Sequence, residues 1–207
     1  MSGGIGMEAN RISAPLDRMY PFLSAVAERR RRARRHIDAG EAGRPTVLHL
    51  LNEALSTELV CVLRYRRHAA LPAAAMAETV RGGFLKYARE EQGHADQIAA
   101  RIVQLGGEPN MTPPAVQADE DAADGGANTL ADMLEEDLIA ERIAIDSYRE
   151  IVQYLGSSDP TTRQLLESIL AVESGHAEEL ASLREDLLRK ERSPGASSTR
   201  LPILDLQ

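Results

Sequence analysis

Four long stretches of the chain carry apolar residues at steps of three and four, the spacing that gathers one stripe along one side of a helix. The first stripe is Leu48, Leu51, Leu55, Val62, Tyr65 and Ala69, in a segment predicted to open at Thr46 as N-cap and to end at Leu71, where Pro72 stops it. Phe84, Ala88, Ile98, Ile102 and Leu105 form the second, which begins between Ala73 and Glu78 and ends at Gly106 and Gly107. Leu134, Leu138, Ile145, Tyr148, Val152 and Leu155 form the third, capped by Thr129 and closed by Gly156. Leu166, Ile169, Leu180, Leu183 and Leu187 form the fourth, opened by Asp159 and Pro160. An all-α four-helix bundle over residues 46–190 is the predicted architecture.

Six polar residues interrupt these stripes in register: Glu58 on the first, Glu91 and His94 on the second, Glu141 on the third, and Glu173 and His176 on the fourth. A carboxylate on a core stripe costs several kcal/mol unless it is paired or metal-bound. Both Glu-His pairs are Glu-x-x-His, and positions i and i+3 lie about 60° apart around a helix, so each carboxylate and imidazole can reach one ion. Glu58 precedes Glu91 by 33 residues and Glu141 precedes Glu173 by 32, while Tyr65 and Tyr148 each follow their lone glutamate by seven. The chain is therefore an internal duplication that supplies four carboxylates and two imidazoles, a donor set for two metals.

The remaining segments read differently. Residues 1–45 form an N-terminal extension with a Gly-rich start and a helix from about Tyr20, stopped by Gly40, Gly43 and Pro45. That helix carries Arg29 to Arg32, Arg34 and Arg35. The run could bind nucleic acid through phosphates, but no aromatic residues are interleaved to stack on bases, and the favoured reading is a solvated face that contacts the acidic bundle of its own or a neighbouring subunit. Residues 108–128 hold Pro109, Pro113, Pro114, Gly125 and Gly126, too many breakers for a continuous helix; a connection this long lets the second and third helices run parallel. Residues 191–207, with Pro194, Gly195 and Pro202, read as a flexible tail.

Composition agrees with a helical bundle: aromatics make up 3% of the 207 residues and tryptophan is absent. Net charge is −8, and since the first 45 residues hold nine arginines against five acids, the rest carries −12, a balance suited to cations. Cys61 is the only cysteine, which excludes an intramolecular disulfide and Cys-based zinc or rubredoxin-type centres. It reads as a small buried residue, and His49 and His68 as surface or packing histidines without a role. No stretch approaches the roughly 18 apolar residues of a membrane span, so the expectation is a cytoplasmic protein with no membrane partner.

Across about residues 46–190 the sequence resembles the ferritin-like superfamily, and bacterioferritin in particular. Leu51-Asn52-Glu53-Ala54-Leu55-Ser56-Thr57-Glu58 looks like the opening of that family's first helix. Glu91-Gln92-Gly93-His94-Ala95-Asp96 with Leu105-Gly106-Gly107-Glu108-Pro109-Asn110 looks like its second helix and exit turn. The resemblance implies a bundle with one long crossover in which Glu91 and Glu173 bridge two irons, Glu58 and His94 complete one site, and Glu141 and His176 the other. It also implies a hydrogen-bonding role for Tyr65, shared by its counterpart Tyr148; Asp137 would either orient His94 or be solvated. Bacterioferritin has a haem-ligating methionine directly after its second-helix glutamate, and Gln92 stands there, so no haem is expected by that route. Rubrerythrins, similar in spacing, carry a further glutamate where this chain has Ala144.

Oxygen and nitrogen donors admit Fe, Mn or Zn. Two Fe(II) ions can each give one electron to O₂, so the leading reading is a ferroxidase that oxidises Fe(II) with O₂ or peroxide for storage or detoxification. The alternatives are a di-iron or di-manganese oxidase, peroxidase or catalase acting on a separate substrate, and a non-catalytic metal-binding or DNA-associated protein. A homo-oligomer is expected. The tail's breakers argue against a channel-lining fifth helix, and the apolar face of Tyr20, Phe22, Leu23 and Val26 is able to pack on a neighbour, which favours a dimer over a 24-subunit cage.

Overall fold

A computed structural model describes residues 21–38, 43–71, 78–112 and 129–192. Among them are five helices and no strand: α1 (Pro21–Asp38), α2 (Arg44–Ala70), α3 (Glu78–Gln104), α4 (Leu130–Leu155) and α5 (Pro160–Arg192).

The helix ends follow from local chemistry. Leu71, ahead of Pro72, takes the extended conformation that a following proline imposes and ends α2. Gly106 at φ 70° ends α3, with Gly107 N–H donating to Ile102 O and Gly106 N–H to Val103 O, a Schellman closure. Thr129 caps α4 by accepting from the Asp132 N–H at 3.1 Å. Asp159 caps α5 through the Thr162 N–H at 3.1 Å. One boundary differs from expectation: α2 starts at Arg44, with Gly43 as its N-cap and Pro45 in the first turn. Thr46 is not a cap but a buried residue of that turn, because proline's fixed φ starts the helix before it.

Two apolar clusters fill the bundle. One gathers Leu50, Leu51, Leu55, Ile98, Ile102, Ile151, Leu155, Leu166 and Ile169. The other gathers Tyr65, Phe84, Tyr87, Leu134, Leu138, Leu180 and Leu183. The first cluster thus takes the start of α2, the end of α3, the end of α4 and the start of α5. It follows that α3 and α4 run parallel, so the end of α3 and the start of α4 lie at opposite ends of the bundle. Asn52 anchors its beginning, donating to Glu108 O at 3.3 Å and accepting from the Asn110 N–H at 2.7 Å; residues 113–128 and the 193–207 tail lie outside the described residues.

Helix α1 lies on α2 and α4 of its own chain. Leu23 packs with Ala140, and Val26 with Val60 and Cys61. Arg30 pairs with Asp146 and Glu150, Arg34 with Glu150, and Arg29 with Glu53. Three arginines of the run therefore pair with acids of their own subunit's bundle, while Arg31, Arg32 and Arg35 pair with Glu28 within α1. This corrects the view of Leu23 and Val26 as a face for a neighbour: the α2–α4 groove already covers them, and Tyr20 and the side chain of Phe22 lie outside what is described. A second correction concerns α2, which does carry an 18-residue window of mean hydropathy 1.3, long and apolar enough to cross a membrane. Most of that window is buried inside the bundle, and the same helix buries Glu58 and Arg64, as the core helix of a bundle does.

Candidate metal centre

Between the two apolar clusters lies a polar layer. Glu58 and Glu141 are 0% exposed, Glu91 and Glu173 1%, His94 6% and His176 4%. The six sequence-predicted residues thus meet in one buried place, since the periodicity that directs each stripe inward also fixes their height along the axis. Two overlapping donor groups result, Glu58–Glu91–His94–Glu173 and Glu91–Glu141–Glu173–His176; within each, the donor atoms lie within 4.8 Å of one another. Glu91 and Glu173 belong to both.

The Nδ1 of His94 is 2.8 Å from Glu173 and 3.4 Å from both Glu58 and Glu91, and the Nδ1 of His176 is 3.4 Å from Glu91 and 3.6 Å from Glu173. These are ion-pair distances without hydrogen-bond geometry. Both Nδ1 atoms, both oxygens of Glu91 and of Glu173, and one oxygen each of Glu58 and Glu141 are buried and lack a hydrogen-bond partner among the described residues. Buried polar atoms are ordinarily satisfied. Donor atoms that converge in this way fit one or two divalent cations, and the donor set suits iron, manganese or zinc.

Electrostatics point the same way. Burial and the charge of Glu91 push Glu58 up to about 8, and the same two causes raise Glu173 and Glu141. Glu91 goes down despite burial, because the imidazoles of His176 and His94 beside it favour its charged form. Burial works against the imidazolium of each histidine, yet the surrounding carboxylates hold His94 up to about 12 and His176 up to about 9. Without a cation the layer is thus held by protons.

The tyrosines cross over between the duplicated halves. Tyr148 donates to Glu58 and Tyr65 to Glu141, each hydroxyl binding the lone glutamate of the other half. The Nε2 of His176 is 2.9 Å from Glu90, a carboxylate that orients the ring and leaves Nδ1 for the centre. Asp137 does not orient His94. It accepts from Arg64 Nε at 2.7 Å and faces His68 Nδ1 at 3.1 Å, because its position four residues before Glu141 points it at α2 and not at α3. His68 is likewise no surface residue: it is 0% exposed, with Glu136 3.2 Å from Nε2.

Glu90, Arg64 and the His68 pair are the contributors that motif reading missed. The signal for Arg64 and His68 was their succession at steps of four after Val60, a second buried stripe on α2 that a charged residue disguises. His49 meets His36 with ring centroids 3.8 Å apart, a packing role. Cys61 is buried and accepts from Arg64 Nη1 at 3.5 Å.

A family model described as "Ferritin-like domain" matches residues 48–190. A bacterioferritin of Rhodobacter capsulatus is 34% identical over 66% of this chain and 81% of its own length; one of Mycobacterium avium is 32% identical over 69% and 86%. Among solved structures, the bacterioferritin of R. capsulatus, described with a metal-free dinuclear site and a haem iron, superposes with TM-score 0.63 at 28% identity over 72% of this chain and 89% of that one. A dodecameric thioferritin of Bacteroides fragilis superposes with TM-score 0.65 at 30% identity over 76% and 95%.

Proposed function

Since the chain belongs to the ferritin-like family, we propose that its buried polar layer is a dinuclear metal centre and that the protein is a ferroxidase, oxidising Fe(II) with O₂ or peroxide. The observation that carries this reading is the set of unpartnered buried donors shared by Glu58, Glu91, His94, Glu141, Glu173 and His176. Four carboxylates and two neutral imidazoles balance two divalent cations, so the loaded layer is electrically neutral, as a buried site must be. Tyr65 and Tyr148 hold the two terminal glutamates, and Glu90 holds His176. Paired iron supplies two electrons at once to the oxidant; the protein's part is to keep the donors aimed and the layer dry.

An anaerobic Fe(II) titration followed by air tests the reading. Two Fe(II) per chain are expected to bind and to turn to Fe(III) on exposure, and Glu91→Ala and Glu173→Ala to lose both. Iron that binds weakly, without stoichiometry, and oxidises no faster than free Fe(II) would reject the ferroxidase.

Haem is a separate matter. Gln92, at the place of the bacterioferritin haem methionine, donates to Asp96 at 2.9 Å on its own helix. Purified protein is expected to show no Soret band and to gain none with added haem; a stoichiometric bis-axial spectrum would show another ligand at work.

A further inference from the structure

The duplication that builds the centre is broken on one side. Counting from Glu58 and Glu141 as equivalent positions, Tyr65 matches Tyr148, but Arg64 matches Ser147, Asp137 matches Ala54 and His68 matches Ile151. One half therefore backs its terminal glutamate with a buried charged cluster, and the other with small or apolar residues. Arg64 is 0% exposed, with Nη2 donating to Glu141 Oε1 at 3.0 Å and Nε to Asp137 at 2.7 Å. Tyr65 donates to that same Oε1, so only Oε2 of Glu141 is left for an ion. Among the described residues Glu58 accepts its hydrogen bond from Tyr148, with no cation beside it other than His94 at 3.4 Å.

We propose that Arg64 makes the two metal positions unequal: the position built on Glu141 and His176 binds a divalent cation more weakly than the one built on Glu58 and His94, and is the one that exchanges. The inference rests on the dinuclear reading above. Its physical content is Coulombic. A guanidinium bonded to a ligand carboxylate draws electron density from it and repels a dication on its far side, in a buried region where screening is weak. Asp137 cancels this only in part, because it also faces His68, whose imidazolium is stabilised against burial by Asp137 and Glu136 and is held up to about 9. The cluster is balanced as a whole, with Glu136 at its far end and Arg64 turned toward the centre. Arg64 is in this sense a positioning residue, acting through Glu141.

Anaerobic Co(II) titration of the full chain, followed by its visible spectrum, reads the two positions without turnover. Wild type is expected to give two binding events separated by about tenfold or more in Kd. His176→Ala should remove the weaker event and His94→Ala the tighter. The variant Arg64→Gln with Asp137→Asn, which keeps the buried cluster free of a lone charge, should tighten the weaker event toward the other while leaving the tighter constant unmoved; a merely structural role would shift both. Two equal events in wild type, a separation that survives the double variant, or loss of the tighter event in His176→Ala would each overturn the inference alone. Absence of cobalt binding altogether would overturn the dinuclear centre and the inference with it.

Discussion

Burial and mutual repulsion raise the carboxyls of Glu58, Glu141 and Glu173, and neighbouring carboxylates raise His94 and His176, so a cation entering this layer must displace protons. The sign follows directly. Each of these groups binds metal in its deprotonated form, and each holds its proton to a higher pH than usual, so affinity falls as pH falls. The window is set by Glu58 at about 8 and His176 at about 9. Zn(II) affinity is therefore expected to rise by roughly tenfold per pH unit per displaced proton between about pH 6 and 8. Calorimetry in two buffers of different ionisation enthalpy should show protons released on binding, whereas buffer-independent heats and a flat affinity would mean that the carboxylates are already ionised. Glu141 differs from Glu58 in this respect, since Arg64 opposes the effect of burial on it.

Each helix presents its share of the centre at the right height, and the caps fix that height. Asp159 holds the first turn of α5 through the Thr162 N–H and also takes Arg101 at 2.9 Å, tying the start of α5 to the end of α3. Asp159→Ala is expected to cost about 1–2 kcal/mol in urea unfolding while the two-metal stoichiometry stays. A cost within error would show that the cap is redundant with Pro160. Sequence anticipated this cap and that of α4, since both rest on the side chain of the residue directly before the helix. It misplaced the start of α2, where a proline and a glycine backbone do the work. The apolar side of α1 was legible as a stripe, but its destination was not, because a stripe states only that it will be covered and not by which chain.

Over the whole molecule, the proposed centre would couple metal binding to the fold. Four buried glutamates and two buried histidines gain their full complement of partners only with cations bound, and an ion that binds the folded chain alone stabilises it by about 2.7 kcal/mol at a hundredfold excess over Kd. Thermal unfolding with Fe(II) under anaerobic conditions, or with Mn(II), is expected to move upward for wild type. For Glu91→Ala and Glu173→Ala it should move little, since these two residues belong to both donor groups. A wild-type melting curve indifferent to both metals would remove the thermodynamic basis of the centre.

What the sequence determined by itself was whatever depends on spacing along a helix: the four bundle stripes, the six polar residues on them, the duplication, and the long connection that makes α3 and α4 parallel. These follow because 3.6 residues per turn converts a separation in number into an angle and a height. The tertiary structure decided which residues meet across helices. That Tyr148 serves Glu58 and Tyr65 serves Glu141, that Asp137 answers Arg64 and His68 instead of His94, and that Arg29, Arg30 and Arg34 spend their charge on Glu53, Asp146 and Glu150 are matters of rotation and axial offset between separate helices. No single stripe records that offset; packing sets it when the two apolar clusters close around the polar layer.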